Sequence, residues 1–495
     1  SACGAPFNAS DGALNFRPNF KFRFVNTCVL DYDMGVTNNI VNPNNYVVQA
    51  NIPTPITVRL KNFGASNLTS ANVYYKLDNN ANTDAGIWNG TVLNGDSTSY
   101  QLSSNITFPP GFRYLKSWTK LLPPLVDFEP TNDTGYYEIV SCNGPMSGEY
   151  AIGNVTGFAP ERKFNSFKEV FKMLQGCGVS GPVTFKVLPQ NIYSDSLFFP
   201  TNINGLSEVN YVKFVSSNTS LPVSVKVNKI HNSVFNLSGA RHLKFENFNF
   251  TSPDSIFNVS DIIKLNANSF NIEFKKVRFS RNPNGMQPNS FVNVGEANNI
   301  KFDSCVFDGD AIYQIYIKGP SPINLSSNIS ITNSQFKNNL NGAIYAEYTS
   351  NLNITKNIFE NNRTTGATTI YNVLIQSAQN FDVQKNIIVL SNVNAFGLSN
   401  ILSSPTRSII ANNKISIHNG NAASSTTNIS AINVLSGENI IIAYNNIYTR
   451  DLGNLLAYGL NLGINGQVIS DIKVINNIVV SDGSGYAVYA RPTTA

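Results

Sequence analysis

The sequence predicts an all-β chain: a β-sandwich followed by a right-handed parallel β-helix, with one short N-terminal helix capping the solenoid. Three observations predict it. A nine-residue pattern recurs from residue 242 to the end at intervals of 23 to 32 residues. Short alternating strands punctuated by Gly, Asn, Asp and Pro fill residues 28–141. A single amphipathic segment lies between the two regions.

The repeat members are HLKFENFNF (242), NIEFKKVRF (271), NIKFDSCVF (299), NISITNSQF (328), NLNITKNIF (351), NFDVQKNII (380), RSIIANNKI (407), NIIIAYNNI (439) and DIKVINNIV (471). Three strands with their turns fit one such interval, so each interval is one coil of a solenoid. Position 4 is apolar in every copy, from Phe245 through Phe302, Ile331 and Ile354 to Val474, and so is position 9, from Phe250 to Val479. The odd step from 4 to 9 requires a bend in or beside position 7. Position 7 is Asn in the last five coils (Asn357, Asn386, Asn413, Asn445, Asn477) and Cys305 and Ser334 before them. Amide side chains stacked at about 4.8 Å bond from coil to coil, and Asn also tolerates a left-handed turn. Phe gives way to Ile and Val along both apolar positions, which predicts stacks that are aromatic early and aliphatic late.

Within 28–141, ITVRLKNFGASNL (56–68) alternates and then turns at Asn62-Phe63-Gly64, and strands follow at 70–77, 86–93, 97–104 and 112–122. Spacing of this kind suggests a sandwich. Trp88 and Trp118, both on strands, are the expected core pair. Residues 1–27 form an N-terminal segment, 142–205 a junction and cap, and 206–495 the β-helix. In the junction, SFKEVFKMLQGCG (166–178) is a helix over about 166–175. Ser166 and Glu169 form a capping box, Phe167, Val170, Phe171 and Leu174 share a face, and Gly176 supplies the stop. Such a helix can cover the open first coil.

The pieces VRLKNFG, WNG, LNGDS, KSWT and PTNDTGYYEIV (130–140) resemble CARDB-type immunoglobulin-like domains of bacterial cell-surface proteins. The run MSGEYAIG … FNSFKEVFKMLQGCGVSGPVTFKV resembles the entry segment of β-helix domains in type IX-secreted surface proteins (adhesins) of gliding bacteria. These resemblances imply spacing and adhesion rather than catalysis. Proteins of that group carry O-glycans at Asp-Ser/Thr-apolar sites, which makes Ser196 a candidate.

Composition narrows the function. The 495 residues are 42 % hydrophobic and only 13 % charged, with a net charge of +5. Asn fills the gap at about 15 % of residues, well above its usual share. Scattered Lys and Arg without a basic stripe disfavour nucleic acid. No apolar run reaches the ~18 residues of a membrane span. The five cysteines (Cys3, Cys28, Cys142, Cys177, Cys305) contain no CxxC pair and suggest no zinc site. Cys3–Cys28 and Cys142–Cys177 are possible disulfides, though sequence alone leaves the pairing open. The expected setting is extracellular or the cell surface, after export with signal-peptide removal, with a polysaccharide or protein as partner and assembly with further domains or subunits. A bare last coil suggests that more chain or a partner subunit follows.

The alternative is a carbohydrate-active β-helix enzyme, a lyase or glycoside hydrolase. Hydrolysis needs two carboxylates about 5–10 Å apart, and a lyase needs carboxylates for Ca²⁺ with a Lys or Arg base. The segment FDSCVFDGDAIYQIYIKG offers Asp303, Asp308, Asp310 and Lys318, with Glu273 and Lys275 one coil earlier. Asp308 and Asp310 flank Gly309 and read first as turn residues. His231, His242 and His418 share no spacing, and His242, at the start of a coil strand, reads as structural. The N-x-S/T sequons at Asn67, Asn132, Asn236, Asn353 and Asn428 are expected by chance in so Asn-rich a chain.

Overall fold

A computed structural model describes residues 31–495 except 44, 103–104, 128, 190–191, 194–196, 227–232, 253–260, 283–286, 363–369, 420–427, 452–455, 464–466 and 492–495. Cys3, Cys28, Ser196 and His231 lie outside the described residues. Two compact units divide between Gly144 and Pro145.

The first unit is a sandwich. Strands Met34–Asn42, Thr57–Asn62 and Ser97–Gln101 form one antiparallel sheet. The facing sheet orders Val47–Gln49, Thr134–Cys142, Gly111–Leu121, Leu68–Leu77 and Thr83–Val92. Val58, Leu60, Val73, Leu115 and Ile139 alternate into the shared core. At the turn expected from sequence, the Asn62 side chain accepts from Gly64 N–H at 2.9 Å and donates to the Ser66 and Val92 carbonyls. Trp88 is buried, but Trp118 is not its core partner. In strand Gly111–Leu121 the inward positions are Leu115, Ser117, Thr119 and Leu121, so Trp118 falls on the outer face. There it stacks on Tyr74 at 5.7 Å, with Lys116 over its ring.

The second unit is a right-handed parallel β-helix with three faces, which among the described residues hold 13, 11 and 11 strands. One coil reads Ala297–Asp303 on the first face, Val306–Asp308 on the second and Tyr313–Lys318 on the third. The solenoid begins well before residue 206, because Met146–Ile152 already pairs with Val179–Val187 on the first face. The helix, Phe167–Cys177, starts where Ser166 accepts from Glu169 N–H at 3.2 Å. It runs one turn-end further than expected: Gly176 is helical, and Gly178 at φ 68° is the C-cap. Phe167 and Phe171 pack on Phe214, and Phe171 also on Phe199 and Phe235, covering the first coil's interior.

Phe274, Phe302, Ile331 and Ile354 occupy one register column and are fully buried. The aromatic stretch of that column runs Phe185, Phe214, Phe245, Phe274, Phe302 with centroids 5.1–5.5 Å apart. A second stack, Phe250 to Phe359, fills position 9. Both then continue as Ile and Val, as the repeat implies.

From strand Ser269–Lys275 onward, only two residues turn the chain between the first and second faces. The first of them is left-handed: Lys276, Ser304, Asn333, Lys356, Lys385, Asn412, Tyr444 and Asn476 all have φ of 50° to 58° or 59°. The second is the ladder position. The two properties that sequence assigned to one Asn thus belong to neighbours, position 6 taking the strained backbone and position 7 the interior. Asn357, Asn386, Asn413 and Asn445 are at most 1 % exposed. Asn357 Oδ1 accepts the Ser334 N–H at 2.8 Å, and from Asn386 onward each Oδ1 accepts both the backbone N–H and the side-chain Nδ2 of the residue one coil earlier, as Asn413 does from Asn386 at 3.0 and 2.9 Å. Each Nδ2 also donates to a carbonyl, Asn413 to Val383 at 2.9 Å. The amide satisfies a corner that strand pairing cannot reach.

Replacing one member leaves two donors of its neighbour buried without acceptors. Asn413→Ala is expected to lower unfolding free energy by about 3 kcal/mol in urea titrations, against under about 0.5 kcal/mol for the exposed, outward Lys301→Ala. Cys305 occupies the same column, free and 1 % exposed, and burial pushes its thiol up to about 12. Its alkylation by iodoacetamide at pH 8 is expected to await global unfolding, measured by mass shift against urea.

Candidate functional site

The sequence-proposed carboxylates do not converge. Asp303 ends a first-face strand and accepts from Thr332 Oγ1 at 3.2 Å and Asn333 Nδ2 at 2.7 Å. Asp308 ends a second-face strand, held by Arg278 at 2.6 Å and Asn338 at 2.9 Å. Asp310 lies in the following turn, paired with Arg281 at 3.0 Å. Lys318 ends the third face. A coil of this length wraps an 18-residue segment round all three walls, so residues close in sequence end on different faces. Glu273 and Lys275 stay on the first face, where Lys275 is in register with Asp303. His242 joins an outer column of left-handed residues and meets Asn271 Nδ2 at 3.0 Å.

What the fold does bring together lies on the third face. Strand Tyr313–Lys318 pairs in parallel with Gly342–Glu347, setting Tyr316 beside Tyr345 and Lys318 beside Glu347. The rings of Tyr316 and Tyr345 stack at 4.9 Å and 7°, and Tyr313 packs on Tyr345 at 5.2 Å. Tyr313 fits because Gly342 stands under its ring: a Cβ there would come within 2.9 Å of it. The Lys318 ammonium meets Glu347 Oε2 at 2.8 Å, the Tyr345 hydroxyl donates to the same oxygen at 2.9 Å, and Lys318 lies over the Tyr348 ring.

Glu347 is the anchor of this group. Its side chain is 8 % exposed while that of Lys318 is 47 % exposed. Burial opposes its ionisation, yet the hydrogen bonds from Lys318 and Tyr345 and the ammonium charge hold the carboxyl below its usual range. The same hydrogen bond raises Lys318. Tyr345 and Tyr313 are both raised, foremost by burial, so their hydroxyls stay protonated donors. Further along the face Tyr371 lies over Gly397 and its hydroxyl accepts from Asn433 Nδ2 at 2.8 Å. Tyrosine joins an apolar ring to a hydroxyl. The face therefore offers ring surface, neutral donors and one internally balanced ion pair, a set suited to hydrogen-bonding a polar, uncharged ligand. Sequence reasoning missed Tyr345 and Glu347. Aligning YQIYIK with GAIYAE one coil apart, as the nonapeptides align, is the signal that finds them.

Residues 213–381 match the family described as a right handed beta helix region. No curated protein matches the sequence. Among solved structures the chain is similar to a CARDB domain from Pyrococcus furiosus, described in complex with di-metal ions (13 % identity, 25 % of this chain and 100 % of that one, TM-score 0.19). It is also similar to a GH136 lacto-N-biosidase from Eubacterium ramulus (8 % identity, 69 % and 68 % covered, TM-score 0.34). A third is the catalytic domain of a GH87 alpha-1,3-glucanase in complex with tetrasaccharides (11 % identity, 93 % and 96 % covered, TM-score 0.32). Similarity at this level assigns no activity to the present chain. Among the described residues no helix is long and apolar enough to cross a membrane.

The sign of the pH dependence follows from the pair. A carboxyl lowered by folding contributes stability that is present above the ordinary glutamate value of 4.5 and is lost as pH falls through the lowered one. The raised Lys318 contributes below 10.5 and loses its part as pH climbs past its raised value. Glu347→Gln is therefore expected to lower the urea midpoint at neutral pH, with the gap to the unsubstituted protein closing as pH falls through the lowered glutamate value.

Proposed function

We propose that this protein is an exported cell-surface module with a structural and adhesive role, whose solenoid holds carbohydrate on its third face. The observation that carries the reading is the Tyr313, Tyr316, Tyr345, Lys318 and Glu347 group. It places rings and hydroxyls at the coil repeat around an ion pair that is already balanced. Such a face binds by many hydrogen bonds and ring contacts with little net charge, so a neutral polysaccharide suits it better than an acidic one. The sandwich serves as a spacer or docking domain, joined to further domains or subunits of a surface assembly. Export is supported by Cys142 and Cys177, both disulfide-bonded, a state that belongs to oxidising compartments.

Binding is favoured over turnover by the state of the candidate acids. Asp308 and Asp310 are each tied to an arginine, and Asp303 to two hydrogen-bond donors on another wall. Glycoside hydrolysis needs two carboxylates facing one bond, and these are spread over different walls of the coil.

The test is retention of the full chain in gels cast with neutral and acidic polysaccharides, alongside assays for released sugar. Tyr316→Ala with Tyr345→Ala is expected to weaken retention at least about tenfold, a loss of ~1.4 kcal/mol, with little effect of salt. Asp308→Ala with Asp310→Ala is expected to leave it unchanged. Sugar release that disappears in the aspartate pair would replace this reading with the enzyme one, and retention untouched by the tyrosine pair would remove the site.

A further inference from the structure

The sandwich holds a second group of side chains that the third-face site does not use. Asp33 immediately precedes strand Met34–Asn42, Asp133 immediately precedes Thr134–Cys142, and Asp127 lies in the connection before it. One carboxylate oxygen from each lies within 4.8 Å of the others. Oxygens bound to one Ca²⁺ at about 2.4 Å are at most about 4.8 Å apart, so the three can share an ion of that size.

The surroundings fix these groups without neutralising them. Asp127 accepts from Met34 N–H at 3.3 Å and Glu129 N–H at 3.0 Å. Asn132 Nδ2 donates to Asp33 Oδ2 at 3.0 Å. Asp33 is 1 % exposed and Asp133 9 %, yet Oδ1 of each is buried with no hydrogen-bond partner, and so is Oδ1 of Asn132. Three orphaned oxygens at one place are a separate matter from the clustering of acids. A buried acceptor without a donor costs about 1–3 kcal/mol, and a charged one more. A cation relieves this defect by coordinating lone pairs that no N–H reaches.

The geometry points to a Ca²⁺ site at one end of the sandwich, built from the carboxylates of Asp33, Asp127 and Asp133 with the Asn132 side-chain oxygen beside them. The donors are all oxygens, which selects a hard cation over zinc or copper. Carboxylates and an amide on two strand entries and a connecting loop form an irregular set, which Ca²⁺ tolerates and the strict octahedron of Mg²⁺ does not. Bound there, the ion ties the connection around Asp127 to the entries of two sandwich strands.

The experiment uses the full chain, stripped with chelator and titrated with CaCl₂ by calorimetry, with thermal unfolding followed in parallel. One Ca²⁺ per chain is expected, with a dissociation constant at or below about 1 mM, the range of extracellular modules, and a rise in Tm. Asp133→Asn is expected to weaken Ca²⁺ at least about tenfold while raising the Tm of the ion-free protein, because it removes repulsion. That opposite pair of effects separates a binding role from a packing one. Should Asp133→Asn fail to fold by circular dichroism, Asp127→Asn is measured in its place. Asp308→Asn in the solenoid is expected to bind Ca²⁺ as the unsubstituted chain does. A chain that takes up no Ca²⁺ at that concentration overturns the site, as does an undiminished response in the folded cluster variants. An equal response to MgCl₂ overturns the assignment of Ca²⁺.

Discussion

Everything in the solenoid depends on each coil resting in register on the one before it. Parallel strand pairing accomplishes this along the flat walls, but at a two-residue corner the chain turns too sharply for the ladder to continue unaided. A corner left to itself buries one N–H and leaves a carbonyl short of a donor in every coil. The Asn column answers both needs with one side chain, since an amide carries an acceptor and two donors. Its Oδ1 takes the N–H of the corner one coil back, and its Nδ2 reaches a carbonyl at the end of the neighbouring strand, as Asn386 does to Ile354 at 2.9 Å. The column is therefore a continuation of the sheet by side chains. Cys305 and Ser334 occupy the same line on weaker terms, the Ser334 hydroxyl accepting only the Cys305 N–H at 3.0 Å. The Cys305 coil has a stacked phenylalanine on each side of its corner, Phe302 before it and Phe307 after it.

The strict period made the solenoid legible. Apolar residues at positions 4 and 9 and Asn at position 7 each recur because a column is a set of identical environments, and identical environments select like side chains. The less regular parts were less legible for the same reason. Trp118 was misplaced because strand Gly111–Leu121 sends Ser117 and Thr119 inward, where hydroxyls close backbone contacts such as Ser117 Oγ to the Tyr74 carbonyl at 2.8 Å. A pattern that equates apolar with inward cannot see that exchange. Gly176 looked like a helix stop although a helix tolerates one glycine near its end, and the left-handed Gly178 two residues on is the true terminator. The division of roles between positions 6 and 7 was hidden too, because Asn is chemically suited to both.

The candidate site teaches the complementary lesson. In a solenoid, sequence proximity is a poor guide to spatial proximity, and separation by one coil is a good one. The segment from Asp303 to Lys318 was attractive because its charges are dense in sequence, yet its members face three directions. Tyr316 and Tyr345 are 29 positions apart and their rings touch. Sites on such a scaffold are read down columns, and third-face strands carry that information as fully as the nonapeptide of the first face does.

The two units also handle charge in opposite ways, and this distinction bears on what each can bind. On the third face Glu347 is deeply buried but answered by Lys318 and Tyr345, so the charge is spent internally and the surface presented outward is one of hydroxyls and rings. At the end of the sandwich Asp33 and Asp133 are equally removed from water, but their nearest charged neighbours are other acids. Loss of hydration there is met at Asp33 by the Asn132 amide and not by a positive charge. A carboxylate placed under water-excluding strands without a cationic partner normally escapes by taking up a proton. At Asp33 and Asp133 burial and the neighbouring acids favour that uptake, and a cation among the oxygens competes with it. The strain is resolved most directly from outside, by a cation whose size matches the spacing of the oxygens.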